Sequence, residues 1–402
     1  MNAGIVIVGG GQAGAQAAIV LRQSGYTGTV TMIGDEPYVP YERPPLSKSF
    51  LAGEIPIERM FMRPVEFYPG KDIAFQLTTR VDAINRATKQ VILNGGSALA
   101  YSKLILTTGG RARRMTCPGA DLLGIHYLRN IDDVLGFRDR LVEGARVVIV
   151  GGGYVGLEVA AVAIKRGCKV TVLEAAPLVL SRVVAPQMSQ FYAEVHTQAG
   201  VDIHTSTTVT AFEGPASVER VVCNHGTFAA DVVIIGIGIE PNVDLAANAG
   251  LSVDNGIVVD EYARTTDPDV FAAGDCTNHP NAFLETRLRL ESVPNALSQG
   301  KAAALAALDK PERYNEVPWF WSDQYDLKLQ MTGISEPDDT IVIRGRMADR
   351  KFSACYLRDG IFVACQAVNM AKDFLQSKKL IAAKTRPDPA RLADITQALK
   401  DF

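Results

Sequence analysis

Residues 4–36 read GIVIVGGGQAGAQAAIVLRQSGYTGTVTMIGDE and decide the fold of this chain. The β-branched run at 5–8 predicts a buried parallel strand. Gly9, Gly11 and Gly14 follow in G-x-G-x-x-G spacing, and the sequence after them predicts a helix whose N-terminus carries free N–H groups. A second predicted strand at 29–33 ends beside Asp35. A strand, glycines, helix, strand and acid in one short unit predict a dinucleotide-binding site.

The same unit occurs a second time at 146–174, where the sequence is RVVIVGGGYVGLEVAAVAIKRGCKVTVLE. Gly151, Gly153 and Gly156 repeat the spacing, and Glu174 ends the second strand. Two such sites on one chain indicate that two dinucleotides meet, and the simplest chemistry between them is hydride transfer from a nicotinamide to a flavin. The alternative, that one copy is only a scaffold, is disfavoured because both copies keep all three glycines and the terminal acid.

Length and composition exclude several classes of protein. A chain of 402 residues predicts two or three domains, and a net charge of −3 argues against a dedicated nucleic-acid binder. The 6 cysteines contain no C-x-x-C pair, and the 5 histidines are scattered, so no metal site is predicted. The first strand begins near residue 4 and no apolar run could span a bilayer, so we expect a cytoplasmic protein.

The remaining segments add a shaped loop, a further sheet edge and a third domain. Four prolines between 37 and 45 forbid regular helix and predict a stiff loop after the first unit. The apolar strand at 269–273 leads into Gly274 and Asp275, which would place a carboxylate at the carboxyl edge of a sheet. Segments 341–344, 352–356 and 361–364 predict three antiparallel strands, with helical sequence after them.

Five further motifs resemble those of the pyridine-nucleotide-dependent ferredoxin reductases that serve oxygenases. They are PPLSK at 44–48, HYLRN at 126–130, AAGDC at 272–276, ESVPNAL at 291–297 and PWFWSDQY at 318–325. The resemblance runs through the whole chain. It implies an α/β fold with two Rossmann-like domains, for FAD and NAD, and a C-terminal α+β domain with an antiparallel sheet. The implied boundaries are 1–113 and 240–317 for the FAD domain, 114–239 for the NAD domain and 318–402 for the interface domain.

The resemblance also implies which residues bind each cofactor. FAD would lie at Gly9, Gly11 and Gly14, with further contacts from Ala13, Asp35, Arg43, Lys48, Val81, Arg129, Asp275, Val293 and Trp319. NADH would lie at Gly151, Gly153, Tyr154, Val155, Gly156, Glu158, Glu174 and Gly238. Lys48 and Glu158 would form the catalytic pair beside the reactive face of the flavin.

The implied activity is electron transfer in single steps. NADH would give a hydride to non-covalently bound FAD, and electrons would pass to a [2Fe-2S] ferredoxin that feeds a cytochrome P-450 monooxygenase. We expect a monomer, without a membrane or nucleic-acid partner. Arg63, Arg287, Arg289 and Arg313 are candidate cations for docking an acidic ferredoxin.

Five alternatives differ from this function in the partner or in the chemistry. The oxygenase could instead be a ring-hydroxylating dioxygenase, or the partner could be a rubredoxin. A disulfide reductase or NADH oxidase needs a reactive cysteine near the flavin, and the proline loop contains none. A flavoprotein of the apoptosis-inducing type would act by binding nucleic acid, which the net charge disfavours.

Overall fold

The computed structural model describes residues 3–402, which form two compact units. The first unit contains the described residues up to Glu42, together with Ile57–Arg111 and Glu240–Pro318. The second contains Arg43–Pro56, Ala112–Ile239 and Trp319–Phe402. The chain therefore passes between the units several times.

The first unit is built on a seven-stranded sheet whose central strands are parallel. The parallel strands, in spatial order, are Ile73–Gln76, Val30–Ile33, Gly4–Val8, Ala98–Leu106 and Val270–Ala272. The antiparallel strands Gln90–Leu93 and Val81–Asn85 continue from Ala98–Leu106. Strands Gly4–Val8, Val30–Ile33 and Val270–Ala272 are buried on both faces over nearly their whole length, as expected of the inner strands of a parallel sheet.

Two helices of the first unit pack closely because both present small residues. Helix Gln12–Gln23 lies against helix Val293–Ala307. A Cβ atom at Gly300 would lie 2.4 Å from the carbonyl oxygen of Ala13, so only glycine permits this approach. Smaller elements complete the unit: strands Ile257–Val258, Thr277–Asn281 and Thr286–Leu288, helix Asp244–Asn248, and 3₁₀ turns at Ile57–Met60, Val65–Phe67 and Pro69–Lys71.

The second unit contains another parallel sheet with the same architecture. Its five strands, in spatial order, are Asp202–His204, Lys169–Leu173, Arg146–Val150, Val232–Ile235 and Ile125–Tyr127. The helices of this part are Ile131–Phe137, Tyr154–Lys165 and Pro186–Gln198. Strands Val209–Glu213, Arg220–Cys223 and Gly226–Ala229 form a small antiparallel sheet beside it. The proline loop contributes a 3₁₀ turn at Pro44–Ser47 and a short helix at Ser49–Ala52.

The C-terminal part of the second unit is a five-stranded antiparallel sheet. In spatial order its strands are Trp319–Gln324, Leu327–Gly333, Ile361–Val368, Lys351–Arg358 and Thr340–Arg346. The three strands predicted from sequence are present, and the hairpin 319–333 adds two more. Helices Ala371–Ala382 and Pro389–Ala393 follow, with 3₁₀ turns at Met347–Asp349 and Leu399–Asp401.

The architecture confirms the predicted α/β class with a C-terminal antiparallel sheet. Arg344 of that last sheet is buried, at 1% exposed, and its charge is paired with Asp373 at 3.1 Å. The short strands Gly110–Ala112 and Ile239–Pro241 pair with each other. Among the helices of residues 3–402, none has the length and apolar character required for a membrane span.

Candidate cofactor and catalytic sites

The first glycine loop is a tight turn in which two glycines are required by the protein itself. The N–H of Gly9 donates to the Ile33 carbonyl at 2.8 Å, and its φ is +118°, a value that suits only glycine. A Cβ atom at Gly14 would lie 2.3 Å from the carbonyl oxygen of Gly9. These contacts bring the helix Gln12–Gln23 directly behind the loop.

Gly11 is different, because nothing in the protein requires a glycine there. Its φ is −86°, which any residue can adopt, and no atom lies within 4 Å of the position that a Cβ would take. The open space lies at the N-terminus of the helix, which has no side-chain cap and no acidic residue in its first turn. Free N–H groups beside open space form an anion site. The residues therefore fit a dinucleotide pyrophosphate.

Two other predicted FAD residues of this unit, Asp35 and Asp275, follow strands that end at one edge of the sheet. Asp35 follows strand Val30–Ile33 and is exposed, and Asp275 follows strand Val270–Ala272. Because these strands run parallel to Gly4–Val8 and Ala98–Leu106, their carboxyl ends lie at one edge, where ligands bind in such sheets. Ala13 and Val293 stand in the first turns of the two packed helices, while Val81 begins the antiparallel extension of the sheet.

Four predicted FAD residues belong to the second unit: Arg43, Lys48, Arg129 and Trp319. The guanidinium of Arg43 donates to the Arg129 carbonyl at 2.6 Å, which joins the proline loop to the HYLRN segment. The ring centroids of Trp319 and Trp321 lie 5.6 Å apart. The ammonium of Lys378 lies over the Trp319 ring, 4.2 Å from its centroid.

The second glycine loop repeats the geometry of the first. The N–H of Gly151 donates to the Leu173 carbonyl at 2.8 Å with φ +109°, and a Cβ at Gly156 would lie 2.2 Å from the Gly151 oxygen. Gly153, like Gly11, has φ −79° and no atom within 4 Å of its Cβ position. This loop therefore also has open space at a helix N-terminus, with Tyr154 and the exposed Val155 as the first helical residues.

Glu174 is held against this second loop. Its carboxylate accepts the N–H of Gly152 at 2.6 Å through Oε2 and the N–H of Ala176 at 2.8 Å through Oε1. Further along the loop edge, Gly238 has φ +100°, and side-chain atoms of Arg113 and Arg182 lie 4.0 Å from its Cβ position. The second unit thus has a fixed carboxylate at its glycine loop and two cations beside Gly238, groups that suit the hydroxyl and phosphate groups of a dinucleotide.

Glu174 is expected to set the preference between the two nicotinamide coenzymes. A carboxylate at this position binds a ribose 2′-hydroxyl and repels a 2′-phosphate. Glu174→Ala should therefore lower the ratio of kcat/KM for NADH to that for NADPH by about tenfold, which corresponds to about 1.4 kcal/mol. Arg166 lies near in sequence but bonds the carbonyls of Leu141 and Leu51, so Arg166→Ala serves as the control. An unchanged ratio in Glu174→Ala would contradict the assignment.

Lys48 and Glu158 form an ion pair, as the sequence predicts. Lys48 Nζ lies 2.7 Å from Glu158 Oε2, and the two side chains are 21% and 4% exposed. Lys48 ends the 3₁₀ turn of the proline loop, while Glu158 lies in the second turn of helix Tyr154–Lys165. A carboxylate this deeply buried needs several partners, because desolvation of a charge is costly.

Two serines that the sequence analysis did not single out supply those partners. Ser47 donates to Glu158 Oε2 at 2.5 Å, and Ser322 donates to Oε1 at 2.6 Å. Both serines lie inside motifs that were noted, PPLSK and PWFWSDQY. The motifs marked the segments as important, but no sequence spacing shows that they meet on one carboxylate.

The cysteines of this chain form no reactive dithiol. All six are free, and burial raises the pKa of Cys276 above its ordinary value. Cys355 and Cys365 face each other in adjacent strands, yet both are fully buried, and burial raises the pKa of Cys355 well above normal. Thiols of this kind are poor nucleophiles. Within residues 3–402 no cluster of metal-binding side chains occurs.

Two family profiles match consecutive parts of this chain. The profile of the pyridine nucleotide-disulphide oxidoreductases matches residues 3–300, and that of the reductase C-terminal domain matches residues 319–402. Together they cover both glycine loops, the ion pair and the five-stranded sheet.

Individual relatives match over nearly the full length. Putidaredoxin reductase CamA of Pseudomonas putida is 43% identical over 100% of this chain and 97% of its own, and a crystal structure of a covalent putidaredoxin reductase–putidaredoxin complex has a TM-score of 0.96, covering 100% and 98% of the two chains. The 5,5'-dehydrodivanillate O-demethylase ferredoxin reductase subunit of Sphingobium sp. is 45% identical over 99% of this chain and 97% of its own. The ferredoxin reductase for the CYP199A2 system of Rhodopseudomonas palustris is 36% identical, with a TM-score of 0.96 over 100% and 99%.

Proposed function

The chain belongs to the pyridine nucleotide-disulphide oxidoreductase family, and from that premise we propose that it is an FAD-dependent ferredoxin reductase that oxidises NADH and supplies a cytochrome P-450 monooxygenase through a [2Fe-2S] ferredoxin. One observation supports this proposal most strongly: each unit has a glycine loop of the same shape, with open space where a pyrophosphate would bind. When bound, FAD accepts a hydride and releases electrons singly.

In this proposal FAD occupies the first loop and NADH the second. The first loop would hold the FAD pyrophosphate over Gly11, and the second would hold that of NADH over Gly153. The remaining predicted contact residues keep the assignments given above, with domain boundaries at 113/114, 239/240 and 317/318. Lys48 would present its ammonium to the flavin, where a cation stabilises developing negative charge. Glu158 would hold Lys48 in that position.

A one-electron acceptor outside the chain completes the proposal. The buried thiols leave no dithiol within the described residues to carry two electrons onward, and the relatives named above include reductases of ferredoxins.

Arg287 is not a good docking cation, because its guanidinium bonds Asn278 and the Val259 carbonyl. Arg289 pairs with Glu291. Arg63 and Arg313, which are both exposed, remain the better candidates. The proposal includes a cytoplasmic monomer without a membrane or nucleic-acid partner.

The identity of the oxygenase can be tested directly. The relative that serves the CYP199A2 system favours a cytochrome P-450, whereas the relative named for an O-demethylase favours an O-demethylase system as the second candidate. Ferredoxins from both kinds of system, and a rubredoxin, should be compared as acceptors with the purified reductase. The highest kcat/KM is expected for a ferredoxin of a P-450 system. A higher value for any other class would reassign the partner.

Electrostatic docking predicts a specific response to salt. Turnover with a ferredoxin should show a KM that rises as ionic strength increases, because salt screens attraction between exposed charges. Turnover with ferricyanide, which needs no docking face, should change much less. Arg63→Ala and Arg313→Ala should weaken the salt dependence, with Arg220→Ala, whose side chain pairs with Glu213, as the control. Parallel responses of the two acceptors would contradict charged docking.

A further inference from the structure

Four hydrogen bonds connect Glu158 to a tyrosine at the protein surface. From the carboxylate they run through Ser322, Gln324 and His196 to Tyr325, with separations of 2.6, 3.1, 2.8 and 3.1 Å. Ser322, Gln324 and His196 are at most 1% exposed, whereas Tyr325 is 39% exposed. All five residues belong to the second unit. Neither His196 nor Tyr325 has a role in the function proposed above.

The carboxylate fixes the direction of every bond in this chain. An ionised carboxylate only accepts, so the Ser322 hydroxyl donates to it, and Ser322 Oγ accepts from the Gln324 amide. The Gln324 carbonyl then faces His196, whose Nε2 must carry the proton. Nδ1 of that neutral imidazole accepts from the Tyr325 hydroxyl. Every donor therefore points toward Glu158.

The Gln324 amide also determines what the chain can do. An amide does not give up its protons near neutral pH, so the chain does not conduct protons between Tyr325 and Glu158. It can orient its members, however, because the amide has a distinct donor end and acceptor end. If Glu158 loses its charge or Ser322 is removed, the amide is free to turn over, and the imidazole proton can move to Nδ1.

Tyr325, at the surface end of the chain, has an unfavourable backbone conformation that its side-chain contacts must offset. Tyr325 begins the two-residue turn between strands Trp319–Gln324 and Leu327–Gly333, and its φ is +54°. Such turns favour asparagine or glycine, and a bulky side chain there costs free energy. The tyrosine offsets that cost with its bond to His196 and an edge-on ring contact at 4.9 Å.

The surroundings leave Glu158 and Lys48 as the charged pair at the inner end of the chain. Besides Lys48 of the proline loop, Glu158 interacts with Tyr154 of its own helix and Tyr192 of helix Pro186–Gln198. Burial raises the pKa of Tyr154 and of Tyr192 well above its usual range, so both stay neutral. Asp323 follows Ser322 in the same strand, and its negative charge further raises the pKa of Tyr192.

The outer end of the chain is also neutral. Burial lowers the pKa of His196, and burial raises the pKa of Tyr325 to about 12. The imidazole and the phenol therefore both keep their neutral forms near pH 7, as the direction of the hydrogen bonds requires.

We infer that Ser322, Gln324 and His196 are positioning residues for the Lys48–Glu158 pair. Ser322 donates to Oε1 of the carboxylate, and Gln324 and His196 hold Ser322 in that orientation, which leaves Oε2 for Lys48 and Ser47. The inference deepens the proposed function and rests on it, since the pair matters for turnover only if it faces the flavin. The direction of the chain is a property of the protein alone.

The tautomer of His196 tests the inference without measuring activity. In the FAD-loaded protein labelled with ¹⁵N-histidine, His196 should show a protonated Nε2 and an unprotonated Nδ1 at pH 7, with His196→Gln used to assign its signals. Ser322→Ala and Glu158→Leu should each shift the population toward a protonated Nδ1. A protonated Nδ1 in the unmodified protein, or an unchanged tautomer in both variants, would overturn the inference.

NADH turnover with ferricyanide gives the second readout. Ser322→Ala removes the hydroxyl that orients the Glu158 carboxylate and should slow this turnover by about tenfold, the effect expected of one lost hydrogen bond to a charged group. Ser322→Thr keeps the hydroxyl and should restore the rate. Ser353→Ala is the matched control, because Ser353 is buried in the same sheet and donates to a different carboxylate, that of Asp373, at 2.9 Å. An unchanged rate in Ser322→Ala, or an equal loss in Ser353→Ala, would overturn the positioning role.

The two failures can be told apart. If the unmodified protein binds no FAD or does not oxidise NADH, the proposed function fails, whereas the His196 tautomer still reports the direction of the chain. If the unmodified protein is an active reductase and Ser322→Ala changes neither the tautomer nor the rate of turnover, only the present inference fails.

Discussion

Lys48→Met is expected to slow the reduction of bound FAD by NADH by about a hundredfold. Removal of one positioned electrostatic group from an active site costs about 10²–10³ in rate. Methionine keeps most of the length of the side chain and removes the charge. The Glu158 carboxylate would retain its bonds from Ser47 and Ser322, so the local fold should persist.

Anaerobic stopped-flow absorbance of the flavin measures this rate directly. Lys165→Met is the matched control, because Lys165 lies on the same helix and also pairs with the segment after the proline loop, at 2.6 Å from Glu54. That pair is exposed, at 72% and 51%, and such pairs contribute little. A normal rate in Lys48→Met, or an equal loss in both variants, would mean that the buried pair has only a structural role.

Gly11→Ala and Gly153→Ala are expected to separate the two cofactor sites. Both positions have ordinary φ values and open space around the Cβ position, so alanine should leave the fold intact. The added methyl group would instead occupy the space of a pyrophosphate, which should weaken binding by about tenfold to a hundredfold. Gly11→Ala should therefore purify with less FAD, while Gly153→Ala should keep its FAD and show a higher KM for NADH.

The FAD content of the purified proteins and the KM for NADH check this pair of results. Thermal unfolding should be compared after FAD is removed from all samples, since bound ligand raises apparent stability by itself. As a positive control for steric damage, Gly14→Ala should destabilise the apoprotein, because its Cβ would lie 2.3 Å from the Gly9 oxygen. If Gly11→Ala keeps full FAD, or if the two variants show the same defect, the assignment of one cofactor to each loop is wrong.

Much of this fold could be predicted because its strongest signals are local in sequence. The turn at Gly9, the close contact at Gly14 and the helix that follows all depend on neighbouring residues, and the same holds at Gly151 and Gly156. The first two strands of the C-terminal sheet are not among the strands predicted from sequence. Trp319, Phe320 and Trp321 form an unbroken aromatic run without alternation and are all partly exposed, although residues 327–331, LKLQM, do alternate.

The sequence predicts the site residues that lie in recognisable motifs. It does not predict which residues far apart in sequence form hydrogen bonds with them. The Lys48–Glu158 pair was predicted from two motifs, and the ion pair is present. Ser322 lies 164 residues from Glu158, and His196 lies 128 residues from Gln324, so their bonds depend on tertiary structure alone. Arg287 was a reasonable docking candidate from sequence, but its bonds to Asn278 and Val259 are visible only in the fold.

The most direct test of the whole account is cytochrome c reduction by the FAD-loaded protein with NADH, measured with and without purified [2Fe-2S] ferredoxins, putidaredoxin among them. The account predicts that the rate is low without a ferredoxin and rises to saturation as one is added. A protein that reduces ferricyanide with NADH, yet gives no ferredoxin-dependent rate with any member of the panel, would contradict it.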